Sequence, residues 1–184
     1  EVQIEFLESR ISPIGSNESK CLKSGIPFSN KSGAALTEYL LSLTEHTLII
    51  SVANRYLFPE PVVIRENLEI INYHGSLLPN HPGRNAEAWA IYSMDQFSGI
   101  TWHYVTKEVD AGRILAQKKV ALDSGINSIR LLKLHKQAAL SAFGDFIFDL
   151  LSGLPLESLD NPLMQRNDIK MHYSWETPNE GILD

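Results

Sequence analysis

The stretch Leu68–Pro79, LEIINYHGSLLP, decides the fold of this chain. Its apolar start predicts a buried strand over Leu68–His74, and its Gly and Pro predict a turn beyond that strand. Successive side chains of a strand point to opposite faces, so Asn72 and His74 share a face. An amide that donates hydrogen bonds, beside an imidazole that moves protons, suits acyl-transfer chemistry, in which an oxyanion forms.

Further strand and helix patterns lie on both sides of this stretch. Thr47–Val52 is short, apolar and β-branched, which predicts a second buried strand. Gly99–Val105 and Ile114–Leu122 alternate apolar and polar residues and predict two more strands, whereas Asn127–Leu151 has helical spacing. Strands separated by helices predict an α/β fold with a parallel sheet, whose ligand site lies beyond the carboxyl ends of the strands. Three loops are expected there: Asn54–Pro61, Ser76–Gly83 and Thr106–Arg113.

Length, charge and cysteine content exclude several classes of function. The chain has 184 residues, enough for one well-buried domain, and a net charge of -6, which argues against non-specific nucleic-acid binding. Its single cysteine, Cys21, forms no internal disulfide, which favours a reducing compartment. The start Glu1–Gln3 lacks the features of a secretory signal, and no apolar run reaches the length of a membrane span. We therefore expect a cytoplasmic protein without a membrane partner.

Asp110 completes a candidate catalytic set with Asn72 and His74. A carboxylate orients an imidazole or raises its pKa, and a side-chain amide adds an uncharged oxyanion donor. Each residue alone is more readily explained by structure, His74 as a hydrogen-bonded histidine at a strand end and Asp110 as a turn residue. Their joint spacing and the flanking sequence favour the functional interpretation.

Several motif pieces occur in order along the chain: NxHxSLLP at 72–79, Gly83, GIT at 99–101 and VDAGxILxQ at 109–117. With these pieces the chain resembles the folate-dependent formyltransferase family. That family includes glycinamide ribonucleotide, methionyl-tRNA and amino-sugar N-formyltransferases, and the formylation domains of some peptide synthetases. The resemblance is densest between Asn54 and Gln117 and extends toward Gly153.

The resemblance implies a Rossmann-like α/β fold, with a mostly parallel sheet flanked by helices. It implies an N-formyltransferase that moves a formyl group from 10-formyltetrahydrofolate to a primary amine by direct attack, through a tetrahedral intermediate and without a metal. The family's Asn, His and Asp correspond to Asn72, His74 and Asp110. By this correspondence Asn72 and a protonated or hydrogen-bonding His74 stabilise the oxyanion. Asp110, directly or through water, keeps His74 suitably charged and assists proton removal from the amine.

The resemblance also implies where the two ligands bind. The expected folate-binding residues are Asn54, Tyr56, Leu57, Val105 and Thr106. The expected acceptor-binding residues are Ser76, His81 and Arg84. Core packing explains Tyr56 and Leu57 equally well, and a solvated loop with a helix start explains His81 and Arg84. The Leu78–Pro79 bond is expected in a tight turn, with its isomer left open by the sequence.

The limits of the domain and the identity of the acceptor stay open at this level. The family fold opens with a strand, a turn and a helix that we do not find here, which indicates truncation, omitted residues or a shortened homologue. Residues 1–152 are expected to form this N-terminally incomplete catalytic domain, and residues 153–184 an extended C-terminal tail. We expect a small-molecule, nucleotide-sugar or carrier-bound amine as acceptor, no nucleic acid, and a homodimer as one option. The alternatives are a formyltetrahydrofolate hydrolase and a non-catalytic interaction domain that kept the fold.

Overall fold

The apolar and alternating stretches of the sequence fold as strands and helices in a computed structural model of the chain. The structure describes residues 3–9, 17–154, 156, 159–162, 170–173 and 175–178. The chain divides into two compact units, one of residues 1–47 with 54–68 and the other of residues 48–53 with 69–184. The predicted division between residues 152 and 153 stays a prediction.

The first unit carries short elements around a parallel pair of strands. Strands β1 (Phe6–Glu8) and β2 (Phe28–Asn30) pair over three residues each. Helix α2 (Gly33–Ser42) buries Leu36 and Leu40 at helical spacing. The remaining helices are α1 (Glu18–Lys23) and α3 (Glu60–Val63). Helix α3 shortens the predicted loop Asn54–Pro61, because Pro61 lies in the first turn of a helix, where its missing N–H is tolerated.

The second unit is built on a four-stranded sheet with the order β3–β4–β5–β6. Its strands and helices are β3 (Thr47–Ser51), β4 (Leu68–His74), α4 (Ala86–Tyr92), β5 (Phe97–Tyr104), β6 (Ile114–Ala121) and α5 (Ser128–Leu151). Helix α5 begins after Asn127, whose side chain accepts a hydrogen bond from the Arg130 N–H. The predicted α/β class is confirmed, and β4 has the predicted bounds, Leu68–His74.

Because of the direction in which β5 runs, the loop after it starts at a different place from the one expected. Strand β5 runs antiparallel to β4, although helix α4 lies between them in the chain, and antiparallel to β6, to which it is joined without a helix. The N–H of Val105, just after β5, donates to the Ile70 carbonyl at 2.8 Å. The loop Thr106–Arg113 therefore starts beside the first half of β4 and not, as the expectation of parallel strands required, beyond its carboxyl end.

One face of the sheet carries the apolar core of the second unit. Ile71 of β4 and Trp102 of β5 pack with Ala139 and Phe146 of helix α5, and all four are at most 8% exposed. The Trp102 indole N–H donates to the Ala139 carbonyl at 3.1 Å, which removes the cost of burying that polar group. Because strand side chains alternate, the neighbours of these core residues point to the opposite face.

Two short segments near the C-terminus of the chain pair with the second unit. The N–H of Leu159 and that of Ile114 each donate to the other's carbonyl at 2.9 Å. His172 receives a hydrogen bond from the Arg84 N–H and donates its own N–H to the Pro82 carbonyl, both at 2.9 Å. These segments hold the loops that follow β4 and β5. Within the part of the chain that the structure describes, no helix is both long and apolar enough to cross a membrane.

Candidate active site

Four polar side chains line the sheet face opposite the core. In the antiparallel pair of β4 and β5, Asn72 lies opposite His103 and His74 lies opposite Thr101. Directly opposed residues share a face, so these four side chains are neighbours. Thr101 and His103 are 0% and 2% exposed. Sequence reasoning did not select His103: the alternation set it on the face opposite Trp102, but only the register of β5 against β4 places it beside Asn72.

The loop after β5 returns over this face and brings Asp110 to it. Asp110 Oδ2 lies 3.4 Å from His74 Nδ1 and accepts the Gly83 N–H at 2.7 Å, while Oδ1 lies 3.5 Å from His103 Nε2. The backbone of Asp110 has a φ of 56°, a left-handed conformation that a non-glycine residue adopts at a cost of about 1–3 kcal/mol. The structure thus gathers the predicted trio around a second imidazole, that of His103.

The hydrogen bonds of His74 define its protonation. Its Nε2 lies 2.9 Å from the His81 carbonyl oxygen, which only accepts, so this nitrogen carries a proton. Burial lowers the pKa of His74, and this outweighs the Asp110 carboxylate, which raises it. The ring is therefore mainly neutral at pH 7, and its Nδ1 carries a lone pair. A proton that binds to Nδ1 would lie next to the Asp110 carboxylate.

Asp110 stays ionised in spite of its burial. Burial alone would raise its pKa, but the positive charge that His74 and His103 carry when protonated and the hydrogen bond from the Gly83 N–H favour the carboxylate, and the pKa lies below its usual value. The site therefore holds a fixed negative charge that faces two imidazoles. Such a charge stabilises whichever ring takes up a proton.

His103 orients the amide of Asn72. Its Nδ1 lies 2.8 Å from the Tyr104 carbonyl oxygen, which only accepts, so this nitrogen carries a proton. Its Nε2 then accepts one N–H of Asn72, at 3.3 Å from Nδ2. This contact fixes the orientation of the Asn72 amide, with its nitrogen toward His103. The second N–H of Asn72 can then donate to the oxygen of a ligand.

Thr101 fixes the turn that follows His74. Its hydroxyl donates to the Ser76 carbonyl at 2.7 Å and accepts the Leu78 N–H at 3.1 Å and the Gln117 side-chain amide at 2.9 Å. The Leu78–Pro79 bond is cis. The predicted acceptor-binding residue Ser76 is 1% exposed, and its hydroxyl donates to the Asn80 carbonyl at 2.5 Å, within the same turn.

Asn161 holds the loop that carries Asp110. Its side chain is 0% exposed, and its amide nitrogen donates to the carbonyls of Asp110 at 2.8 Å and Gly112 at 2.9 Å. A Cβ on Gly112 would clash with the Tyr104 carbonyl, so only glycine fits there. Sequence reasoning missed Asn161, because it lies about 50 residues from its partners, in a stretch without periodicity.

Of the other predicted acceptor-binding residues, His81 lines a cavity of about 410 Å³. His81 Nε2 lies 2.7 Å from Asp95 Oδ2, and the His81 ring stacks on that of His172. Arg84 is half-buried, and its main chain pairs with His172. The cavity is lined by Pro79, Asn80, His81, Ser93, Asp95, Lys170 and His172. The acceptor-binding roles of His81 and Arg84 stay predictions.

Three predicted folate-binding residues belong to the first unit. Asn54 Oδ1 accepts the Ser9 hydroxyl at 2.7 Å and the Tyr56 N–H at 2.9 Å. The Tyr56 hydroxyl shares a hydrogen bond of 2.7 Å with Thr37, and Leu57 is 73% exposed. These contacts stiffen the loop after β3, and the folate role of the three residues stays a prediction.

The two other predicted folate-binding residues belong to the second unit. Val105 is fixed to β4 by its main chain, and the Thr106 hydroxyl donates to the Glu108 carbonyl at 3.0 Å. Their folate role also stays a prediction. Among the residues described, no group of three or more His, Cys, Asp or Glu side chains is arranged to hold a metal ion.

Comparison with protein families gives one match that covers most of the second unit. Residues 21–142 match the sequence model of the family described as formyl transferase. The match includes Asn72, His74, His103 and Asp110, the residues gathered on the sheet face. It covers well over half of the chain.

Individual proteins give the same result. The methionyl-tRNA formyltransferase of Staphylococcus aureus (strain Newman) is 38% identical over 96 residues, which are 52% of this chain and 30% of that enzyme. A 4-N formyltransferase structure from Francisella tularensis has a TM-score of 0.73 at 21% identity, over 94% of this chain and 65% of that one. PseJ from Anoxybacillus kamchatkensis, solved with UDP-4,6-dideoxy-4-formamido-L-AltNAc and tetrahydrofolate, has a TM-score of 0.66 at 18% identity, over 95% and 87%.

These likenesses differ in what they establish. The structural matches lie below 25% identity and show the fold, which is the Rossmann-like fold of formyltransferases. The chain spans 25% to 30% of the lengths of the first curated relatives that it matches.

Proposed function

Because the chain belongs to the formyl transferase family, we propose that it transfers a formyl group from 10-formyltetrahydrofolate to a primary amine. The observation that carries this proposal is the buried contact of His74 with Asp110, at 3.4 Å, beside the oriented amide of Asn72. A proton acceptor, a fixed carboxylate and an uncharged hydrogen-bond donor on one face are the groups that acyl transfer to an amine requires.

The residues on the sheet face fit a formamide group. The second N–H of Asn72 supplies a donor for the formamide oxygen, and this donor is oriented before any ligand binds, because His103 holds the other N–H. When bound, 10-formyltetrahydrofolate supplies the formyl carbon that the amine attacks. Asn54, Tyr56, Leu57, Val105 and Thr106 are the proposed residues that would hold the folate.

Each member of the trio has a proposed task. Asn72 donates an N–H to the oxygen on which negative charge develops. His74, which the resemblance assigned to the oxyanion, instead takes up the proton that the attacking amine releases, because its ring is mainly neutral before the reaction. It would return this proton to the nitrogen of tetrahydrofolate as the bond between that nitrogen and the formyl carbon breaks. Asp110 stabilises the imidazolium that results, since its low pKa keeps it ionised throughout. No step in this sequence needs a metal.

For the acceptor we propose an amine on a nucleotide-linked sugar, bound by His81 and Arg84. Ser76 would act through the turn that it holds, because it is 1% exposed and its hydroxyl donates to the Asn80 carbonyl. Support comes from the solved PseJ structure, which contains a UDP-linked formamido sugar and covers 95% of this chain. Small-molecule and carrier-bound amines stay in the test as further acceptors. Cys21 is free and buried, which agrees with a reducing compartment, and we propose the cytoplasm.

The experiment uses the full chain with 10-formyltetrahydrofolate and a panel of amines that includes nucleotide-linked amino sugars. Release of tetrahydrofolate is followed by absorbance, and the formylated amine by mass spectrometry. We expect turnover that depends on one class of amine. Turnover without any amine would support the hydrolase instead, and neither turnover nor folate binding would support a non-catalytic domain.

Two variants link the activity to the site. His74→Ala should lower kcat at least about 100-fold, as expected when a general acid–base group is lost. His46→Ala is the matched control, because His46 is an exposed histidine of the first unit. Equal loss in both variants, or none in His74→Ala, would refute the assigned role of His74.

A further inference from the structure

A second carboxylate lies behind His74, on the side of helix α4. Gly75 follows His74 directly, and a Cβ built on Gly75 would lie 2.5 Å from Glu87 Oε1. Only a glycine therefore lets the Glu87 carboxylate lie against the backbone between His74 and Ser76. The side chain of Glu87 is 24% exposed, so most of it is withdrawn from water.

A buried histidine of helix α5 faces this carboxylate. His135 is 0% exposed, and its Nδ1 lies 3.6 Å from Glu87 Oε1. Within the described part of the chain, neither ring nitrogen of His135 has a hydrogen-bond partner. A fully buried imidazole without hydrogen bonds is costly, so its place beside Glu87 needs a reason other than packing.

The charges around the pair favour an ionised Glu87. Burial would raise the pKa of Glu87, but His135, the Glu87 N–H and His74 outweigh it and lower the pKa. Tyr73 of β4 also lies within the electrostatic influence of Glu87. Burial and the Glu87 charge raise the pKa of its hydroxyl, so Tyr73 stays neutral. In return, the Glu87 charge raises the pKa of His74.

We propose that Glu87, held by His135, is a positioning residue that fixes the backbone at Gly75 and presents a second carboxylate to His74. This inference rests on the proposed function, because it assigns a supporting role in the same site. Asp110 and His103 act on His74 from the sheet face, whereas Glu87 acts from α4. A purely structural Glu87 would hold the turn but leave the titration of His74 unchanged.

The test compares Glu87→Gln with the wild type, since glutamine keeps the size of the side chain and removes its charge. Nuclear magnetic resonance of the histidine rings follows the titration of His74 in the free protein, without any turnover. We expect His74 to titrate at lower pH in Glu87→Gln. We expect kcat at pH 7 to fall about tenfold and the KM for 10-formyltetrahydrofolate to stay the same, because less imidazolium forms.

Two further variants make the outcome decisive. Asp145→Asn removes the same charge from an exposed position of α5 and should leave the titration of His74 unchanged. His135→Gln removes the group that keeps Glu87 ionised, so the pKa of His74 should shift in the same direction as in Glu87→Gln. This variant also tests the proposal if Glu87→Gln does not fold. An unchanged His74 titration in the folded variants would overturn the inference. Because that measurement needs no substrate, it is separate from a failure of the wild type to turn over, which would overturn the proposed function.

Discussion

Replacing Thr101 by valine should weaken the protein by removing one buried hydroxyl. Thr101 is 0% exposed, and its hydroxyl makes three hydrogen bonds, to Ser76, Leu78 and Gln117. Valine has nearly the same shape, so it creates no cavity and adds no bulk. The whole effect should therefore come from the lost hydrogen bonds.

The size of the effect follows from the groups left behind. The Ser76 carbonyl loses a donor, and the Leu78 N–H and the Gln117 amide lose an acceptor. Each net hydrogen bond contributes about 1 kcal/mol, and a buried group left unpaired costs about 1–3 kcal/mol. Gln117 keeps a second bond, to the Leu78 carbonyl at 2.9 Å, which reduces its share. We expect the free energy of unfolding to fall by about 3 kcal/mol.

Urea unfolding followed by circular dichroism measures this change. The midpoint should move to lower urea at an unchanged m value, because the surface exposed on unfolding is the same. Thr101→Ser is the control: it keeps the hydroxyl and loses one methyl group, so it should lose only about 1 kcal/mol. This account of the turn would be refuted if Thr101→Val lowered the free energy of unfolding by less than about 1 kcal/mol. It would also be refuted if Thr101→Ser were less stable than Thr101→Val.

Three shorter predictions concern residues of the same site. His103→Leu should lower kcat about 10- to 100-fold, because it frees the Asn72 amide and removes a partner of Asp110, and single-turnover kinetics with unchanged folate binding would check this. Asn161→Ala should lower the free energy of unfolding by about 2 kcal/mol, since two carbonyls lose their donor, and a urea midpoint equal to that of the wild type would contradict it. Because burial lowers the pKa of His74, the unfolded chain binds more protons below its ordinary pKa of about 6.5. Stability should therefore fall from pH 7 to pH 5, and less so in His74→Gln; equal slopes in urea titrations would speak against it.

The part of the site that the sequence predicts is local. Strand β4 has the bounds Leu68–His74 predicted from its apolar run, and Asn72 and His74 share a face because strand side chains alternate. Both statements depend only on residues within one strand. Asp110 is a candidate from its chemistry, and the family resemblance supports it; the structure brings its carboxylate to 3.4 Å from His74.

The part that the sequence does not predict depends on contacts between distant residues. The expected parallel arrangement gave no reason to set His103 beside Asn72, whereas the antiparallel register of β5 does so. The hydrogen bonds of Asn161 join residues 49 and 51 positions apart, and no local pattern encodes such a contact. Glu87 and His135 lie on different helices and meet because α4 and α5 pack together.

These long-range contacts decide how strongly Asp110 acts on His74. Two unit charges about 4 Å apart attract by about 1 kcal/mol in water and by about 4 kcal/mol at the effective dielectric constant of a protein. His74 and Asp110 are only 6% and 9% exposed, so the value of about 4 kcal/mol applies once His74 carries a proton. Thr101 and Asn161 maintain that burial by fixing the turn and the loop around the pair, although neither residue is assigned a contact with substrate. Their loss should therefore lower kcat as well as stability, through water that enters between the imidazole and its carboxylate.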